Sequence, residues 1–357
     1  MIFVINSQEN KELLQKAIPH LIAWYRENKK EYPWREEATP YHVWISEIML
    51  QQTRIEAALD YYKRFLQELP TVKALAEADD DYLMKLWQGL GYYSRARNLK
   101  KAARLIMDEH GGELPDTAEA LRKLPGIGDY TAGAIASIAY HKPEPAVDGN
   151  VLRVVSRIIA SYEDIMLPAT KKSVTALLRA VYPLGEEAAL LTEGLMELGE
   201  QVCIPNGEPR CAVCPIRSFC RAYAESKTDS IPVREVKKEK RKEERTVLLL
   251  KSQEGRYAIQ KRLDKGLLAN MWEFPCLDGV YAEGDVEAYL SERGFLVESV
   301  KSCGDADHIF THIVWKMTGY LVSVKEEGGD YLWKSRDEIV SLYAIPSAYR
   351  FYVKQLE

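Results

Sequence analysis

Two carboxylates in contrasting surroundings are the residues of this chain best placed to do chemistry. Glu47 lies in the run Trp44-Ile45-Ser46-Glu47-Ile48-Met49-Leu50-Gln51-Gln52-Thr53, which is largely apolar and helical in pattern. Burial disfavours the charged form of a carboxyl group, so a Glu in such a run is a candidate general acid near neutral pH. A helix Glu that reaches solvent or pairs with Arg54 is the plainer alternative. Asp148 opens the run Asp148-Gly149-Asn150-Val151-Leu152-Arg153-Val154, just before an apolar-periodic helix, and is a candidate N-cap. Capping alone accounts for it. A carboxylate at a helix N-terminus is also held ionised by the helix dipole, where it would stabilise a positively charged sugar, with Asn150 orienting it. One protonated and one ionised carboxyl group is the division of labour in glycoside cleavage, and a nucleoside is an N-glycoside.

Three further motifs surround these acids. Leu124-Pro125-Gly126-Ile127-Gly128-Asp129-Tyr130-Thr131-Ala132 places a Pro-Gly-x-Gly turn between two helical segments. Gly126 and Gly128 let the backbone approach a phosphate, and the free N–H groups that open the second helix attract an anion. This helix-hairpin-helix pattern grips DNA by its backbone without reading sequence; a plain helix connector is the alternative for a shorter match. Cys203, Cys211, Cys214 and Cys220 crowd one short segment, with intervals of seven, two and five residues. Four thiolates so spaced suit zinc or a [4Fe–4S] cluster, and the spacing alone leaves both open. Arg210 and Arg217 lie among them, within reach of phosphate. In Gly89-Leu90-Gly91-Tyr92-Tyr93-Ser94-Arg95-Ala96-Arg97-Asn98, aromatics beside Arg95 and Arg97 suit a wedged base step with its phosphates held, although most such tyrosines merely pack.

The elements that must position these groups fall into two classes. The chain has 357 residues, 46% of them hydrophobic, enough for two domains each with its own core. Up to about residue 224 the periodicity is helical, with Lys11 to Asn28 and Thr39-Pro40 onward as examples. Residues 225–245 are dense in Lys, Arg and Glu and read as a charged linker. From Thr246 the pattern turns β-rich: Thr246 to Lys251, Arg256 to Arg262 and Ile309 to Val324, with helical stretches at Asp285 to Arg293 and Ala344 to Leu356. The expected architecture is multidomain: an all-α helix-hairpin-helix domain over 1–224 with its cysteine module at 203–220, then an α+β domain over 246–357. Net charge is −5, mildly against a nucleic-acid binder, but the basic stretch from Tyr93 to Arg104 contains no acid. No basic leader or membrane-length apolar run is present, so a cytoplasmic location is expected, and in so reducing a compartment clustered cysteines hold metal rather than disulfides.

Taken together, these segments resemble the helix-hairpin-helix DNA glycosylases that carry an iron–sulfur cluster, the endonuclease III group, over roughly Gln15 to Ala224. Within that group the chain is similar to the MutY-type adenine glycosylases through both domains. The resemblance implies a [4Fe–4S] cluster on Cys203, Cys211, Cys214 and Cys220. It implies that Glu47 protonates adenine, that Asp148 stabilises the oxocarbenium ion, and that Tyr130 assists. Tyr130 stands where the lyases of the group place a Lys nucleophile; a phenol cannot form their Schiff base. Trp34, Arg35 and Glu193 match positions around a flipped adenine, and Gln52 and Tyr92 match residues wedged into the base stack. The second domain resembles a Nudix-like lesion-recognition domain, in which Phe310-Thr311-His312 matches the segment that reads 8-oxoguanine. The implied substrate is double-stranded DNA with adenine opposite 8-oxoguanine or guanine, acted on by a monomer associated with the nucleoid of a bacterium. Two departures accompany the likeness: the first cysteine interval holds one residue more than the common pattern, and the acidic Nudix box is missing. The competing readings are a lyase for oxidised pyrimidines, a nucleotide pyrophosphohydrolase and a non-catalytic DNA-binding protein. Tyr130, the missing box and the paired acids Glu47 and Asp148, respectively, disfavour them.

Overall fold

The computed structural model describes residues 5–235 and 240–357. The chain divides into two compact units. One comprises Met1–Glu77 with Asn98–Val236; the other comprises Ala78–Arg97 with Lys237–Glu357. The short segment 78–97, which the sequence assigns to the helical part by periodicity, thus packs with the second unit. No helix among the described residues is long and apolar enough to cross a membrane.

The first unit is helical. Its long helix Gln8–Asn28 starts where Ser7 accepts from the Asn10 amide, and buries Leu14, Ile18, Leu21, Ile22 and Tyr25 along one face. That face packs on helix Glu186–Gln201, which also packs on helix Gly149–Ile158. Helix Pro40–Leu50 begins with Thr39 as N-cap and proline at its first position, where the lost N–H costs nothing. It is buried almost all round, from Tyr41 to Met49. A helix apolar on every face has no solvent side, so Glu47 has nowhere to go but the interior. The hairpin's second helix, Asp129–Ala134, runs on into a π-helical turn, Ile135–Ala139, against helix Glu186–Gln201. Ser137 in that turn donates to the Gly133 carbonyl at 2.7 Å and accepts from Thr192 at 2.8 Å, which satisfies hydroxyls that burial would otherwise strand.

The second unit is built on a mixed sheet of seven strands: β1 Arg241–Ser252, β2 Tyr257–Lys261, β3 Trp272–Glu273, β4 Cys276–Asp278, β5 Val297–Ile309, β6 Ile313–Val324 and β7 Leu332–Lys334. The order is β3-β2-β1-β6-β5, with β4 pairing with β1 and β7 with β2. β1 and β6 run parallel over their full lengths, and β5 and β6 form an antiparallel hairpin. Val247, Leu249, Trp315 and Met317 face one apolar layer while Leu248, Leu250, Tyr320 and Val322 face another, the alternation of a sheet covered on both sides. Arg241–Arg245, read from sequence as the end of a linker, belong to β1; Val236–Glu239 of that stretch lie outside the described residues. The run from Ile309 to Val324 is likewise divided, so that Phe310-Thr311-His312 forms the β5–β6 connection and not part of a strand. The C-terminal stretch from Ala344 holds only short turns of helix, Ser347–Tyr349 and Arg350–Val353.

Segment 78–97 is bound to this sheet unit by side chains. Asp81 accepts from Lys261 Nζ at 2.8 Å and from Trp272 Nε1 at 3.2 Å. Lys85 Nζ donates to the Val340 carbonyl at 2.6 Å, Gln88 Nε2 to the Ile345 carbonyl at 2.7 Å, and Arg97 to the Ala269 carbonyl at 2.6 Å.

Candidate active site

A cavity of about 410 Å³ in the first unit gathers most of the predicted chemistry. Glu47, Tyr130, Asp148, Asn150, Trp34, Arg35 and Glu193 all line it, although they come from five separate stretches of chain. Glu47 projects from the buried helix Pro40–Leu50 and is 7% exposed. Burial raises its carboxyl to about 7, with Tyr130 opposing the rise and Asp148 and Glu193 adding to it. Glu47 therefore remains a proton donor near neutral pH. Burial also drives the Tyr130 phenol well above its ordinary range, helped by the nearby carboxylates, so it stays protonated as a hydrogen-bond donor. Its hydroxyl lies 3.7 Å from Met196 Sδ.

Asp148 performs the capping role that its position indicates: its Oδ1 accepts from the Val151 amide at 2.8 Å. Asn150 Nδ2 donates to the other oxygen at 3.0 Å, so both oxygens are oriented. The donors at the helix start favour the ionised form of Asp148, and burial opposes them. Burial outweighs the Val151 and Asn150 backbone donors and Arg153, and its carboxyl lies above the ordinary range. A desolvated anion with fixed partners responds more strongly to a developing positive charge than a solvated one does. Arg153 extends the arrangement: it donates to Asn150 Oδ1 at 2.8 Å, to the Gly199 carbonyl at 2.7 Å and to the Cys203 carbonyl at 2.7 Å. Gly199 is required here, because a Cβ would stand 2.8 Å from that of Asn150.

The hairpin turn is shaped by Gly126, at φ +80°, where a Cβ would meet that of Asn98 at 2.7 Å. Gly128 N-caps the following helix and is exposed, free to approach a phosphate. Gln51 Nε2 reaches Thr131 Oγ1 at 3.2 Å and so ties this helix to the end of Pro40–Leu50. The next residue, Gln52, is exposed with φ +60°, and Tyr92 in the other unit is 46% exposed with φ +47°. A left-handed backbone at a residue other than glycine persists only where the surrounding structure holds it.

Arg95 and Arg97 are not the open phosphate contacts that the basic stretch suggests. Arg95 is buried, donates to the Leu90 and Gly91 carbonyls at 3.1 Å, and stacks between Trp87 and Tyr92. Arg97 is taken by Ala269. Lys100 is also buried, because this face of helix Ser94–His110 turns inward. Arg95 thus supports Tyr92 from below. In the same unit the Tyr92 hydroxyl meets Thr311 Oγ1 at 2.6 Å. Phe310 packs edge-on against His308 and Trp315, leaving Thr311 and His312 exposed at the hairpin tip. A second cavity, of about 460 Å³, lies beside them, lined by Tyr92, Leu268, Phe310, Thr311 and His312.

Cys203, Cys211, Cys214 and Cys220 line one small cavity of about 30 Å³ together with Arg157 and Arg217. No set of three His, Cys, Asp or Glu side chains among the described residues is gathered as it stands to hold a single metal ion. Burial and the neighbouring sulfurs push the Cys214 thiol up to about 12 and Cys220 to about 11. Cys211 is raised as well, and thiols so raised lose their protons to a cationic group that binds them. Arg157 Nη1 donates to Cys203 Sγ at 3.2 Å. Arg210 and Arg217 are exposed beside the cavity. The donor set therefore fits an iron–sulfur cluster bound in a loop that holds the helix Gly149–Ile158 from behind.

A helical fold with a Gly-containing hairpin, two buried acids in one cavity and a four-cysteine loop defines the class of helix-hairpin-helix DNA glycosylases. The HhH-GPD superfamily of base excision DNA repair proteins matches residues 45–183, and the NUDIX domain matches residues 246–355. Solved structures of a thermostable thymine-DNA glycosylase (TM-score 0.54, 24% identity, 61% of this chain and 98% of that one) and of an endonuclease III–DNA complex (TM-score 0.51, 24% identity, 60% and 97%) share the fold of the helical part. The adenine DNA glycosylase of Mus musculus is 34% identical over 89% of this chain and 75% of its own length, and that of Arabidopsis thaliana is 35% identical over 88% of this chain. The chain spans 58% of the plant protein's length. It belongs to the adenine DNA glycosylase family, whose members are DNA glycosylases of base excision repair.

One residue in the cavity wall is missed by the sequence reading. Glu197, one helical turn beyond Glu193, accepts from Arg35 Nη2 at 2.7 Å. The i, i+4 spacing of two acids on an otherwise apolar helix face is the signal that would have found it.

Proposed function

We propose that the protein excises adenine mispaired with 8-oxoguanine or guanine from double-stranded DNA by hydrolysing the N-glycosidic bond, without lyase chemistry. The observation that carries this reading is the convergence of Glu47, Tyr130, Asp148 and Asn150 on one cavity whose wall holds Arg35 and Glu193. The adenine leaves the duplex and enters this cavity, since no side chain reaches its reacting atoms inside the stack. Glu47 delivers a proton to the base at N7, making it a better leaving group. Asp148, fixed by Val151 and Asn150, stabilises the positive charge that grows on the sugar. Tyr130 donates a hydrogen bond into the same space, and no amine stands there to attack the sugar. Gln52 fills the gap that the base leaves, and Gly126 and Gly128 hold the backbone.

Cys203, Cys211, Cys214 and Cys220 would hold a [4Fe–4S] cluster whose contribution is structural, since four protein ligands leave no open position for substrate. Purified protein is expected to be yellow-brown with broad visible absorption and to contain about four irons per chain. One zinc per chain after anaerobic preparation, with no iron, would replace this assignment.

Choice of the right adenine falls to the second unit. The catalytic cavity takes only the flipped base, so a separate group must report its partner. The exposed tip at Thr311 and His312 supplies hydrogen-bonding groups, and Phe310 anchors it. The Thr311→Ala/His312→Ala variant is expected to narrow the ratio of single-turnover rates on adenine opposite 8-oxoguanine and opposite guanine. Each lost hydrogen bond is worth about 1 kcal/mol, or roughly fivefold. Alkali cleavage of the two duplexes reads the ratio. A ratio unchanged from the parent's, whatever the absolute rates, removes this tip from lesion reading.

A further inference from the structure

Helix Glu186–Gln201 offers two glutamates to one guanidinium. Glu193 stands 3.4 Å from Arg35 Nε, and Glu197 accepts from Arg35 Nη2 at 2.7 Å. The Nη1 atom donates to the Lys30 carbonyl at 3.0 Å, and the guanidinium lies over the rings of Tyr25 and Tyr32, at 5.5 and 4.9 Å. Glu197 is 1% exposed, and its second oxygen accepts from Gln201 Nε2. Both of its oxygens thus have protein partners. Glu193 lines the cavity together with Glu47, and burial raises its carboxyl against the opposing pull of Arg35 and Tyr25.

A buried carboxylate needs a reason, because removing it from water costs more than an apolar residue of similar size would. Two effects of Glu197 supply one. The charge-assisted bond fixes the direction of Arg35 where a free arginine would sample several. It also offsets the cation's field. Glu47 faces Tyr130, Asp148, Glu193 and Arg35; of these Arg35 and Tyr130 favour its ionised form, while burial and the two acids favour the protonated one. An uncompensated Arg35 would tip that balance toward ionisation. Further out, Lys30, Glu56 and Glu200 sit at the mouth of the same network.

We propose that Glu197 is a positioning residue for base recognition: it locks the Arg35 guanidinium against Tyr25 and Tyr32 and neutralises it, which leaves Glu193 to face the base and Glu47 to remain a proton donor. This rests on reading the cavity as the glycosylase site.

Glu197→Gln keeps the volume and an acceptor but removes the charge; Glu197→Asp keeps the charge. Two readouts separate the outcomes: single-turnover excision of adenine across pH, and the carboxyl stretch of Glu47 in infrared difference spectra across pH, with Glu47→Gln as the blank. In Glu197→Gln, both the alkaline fall in rate and the Glu47 infrared midpoint move to lower pH by about one unit, equivalent to roughly a tenfold loss of rate on the alkaline side. Glu197→Asp restores both midpoints. A uniform fall in rate at every pH, with the Glu47 midpoint unmoved, makes Glu197 merely structural and overturns the proposal. A parent that excises no adenine, yet whose Glu47 midpoint moves in Glu197→Gln, sinks the glycosylase reading and leaves the positioning role standing. Should Glu197→Gln fail to fold, the double variant with Arg35→Gln removes the pair together and leaves Glu193 without its cation; its Glu47 midpoint then lies above the parent's, and a midpoint displaced to lower pH overturns the proposal.

Discussion

Glu47→Gln is expected to lower adenine excision by a factor on the order of 10²–10⁴, the usual contribution of a general acid, while the protein becomes more stable above neutral pH. Both halves follow from one fact: the carboxyl is buried and raised to about 7. Protonated Glu47 is the active form, so excision falls as pH rises through about 7. It falls again on the acid side as Asp148, which must be ionised, takes up its proton; burial places that limb above the ordinary Asp range. The profile is a bell whose alkaline limb vanishes in Glu47→Gln along with the activity. A carboxyl whose folded value is raised weakens the folded protein at high pH. Its contribution is fully present below the unfolded value and is lost as pH rises through about 7, where the folded protein must bury a charge. Gln carries no such charge. At pH 9 the variant should therefore be the more stable by an amount on the order of 3 kcal/mol, and the difference should shrink toward zero below about pH 4.5. Thermal unfolding at both pH values measures this. Equal melting temperatures at pH 9, or excision within a few-fold of the parent's, would show that Glu47 is not a buried acid of this kind.

Asp148→Asn should reduce excision by about 10²–10³ or more and leave binding to mismatch-containing duplex nearly unchanged. The substitution separates charge from shape. Asn is as good an N-cap as Asp, so the bond to the Val151 amide and helix Gly149–Ile158 survive, with stability altered by a few tenths of a kcal/mol. What disappears is the negative charge beside the sugar. Asn150 then faces a neutral amide and must turn or lose its bond, a small further cost. Binding and single-turnover measurements on one preparation decide between the two roles of Asp148. A variant that excises normally would reduce Asp148 to a cap; a variant that neither binds nor melts normally would show that the charge serves the fold and would remove the separation of roles argued here.

The two acids of the cavity were legible in sequence because both are defined by local features. An acid in a helix apolar on all faces is forced inward, and an Asp ahead of an apolar-periodic helix caps it; neither conclusion needs the rest of the fold. Asn150 follows from the same turn. The hairpin glycines were legible as a Pro-Gly-x-Gly turn between two helical segments; the approach of Asn98, which leaves no room for a Cβ at Gly126, is a tertiary fact. The cysteine spacing named a metal-binding loop but left zinc and an iron–sulfur cluster level; four thiols around a shared cavity, with Arg157 at Cys203, are tertiary facts.

Residues whose meaning depends on what folds against them were misread or missed. Arg95 and Lys100 looked like a basic surface, but helix Ser94–His110 turns them inward, and Arg95 supports Tyr92. Phe310-Thr311-His312 looked like strand because its flanks are β-branched and aromatic; the pairing of β5 with β6 makes it the turn. Segment 78–97 is helical by period, and nothing in that period tells which unit it packs on; Asp81, Lys85 and Gln88 decide it by the carbonyls and side chains they find. The spacing of Glu193 and Glu197 hints at a pair of acids on one face, but the partner that gives Glu197 its meaning, Arg35, is 162 positions away. The sequence by itself determined which groups can donate a proton, cap a helix or ligate a metal, since those capacities belong to residue type and near neighbours. Only the tertiary structure decided which of them share a cavity and which charges are balanced, because burial and pairing arise where distant segments meet.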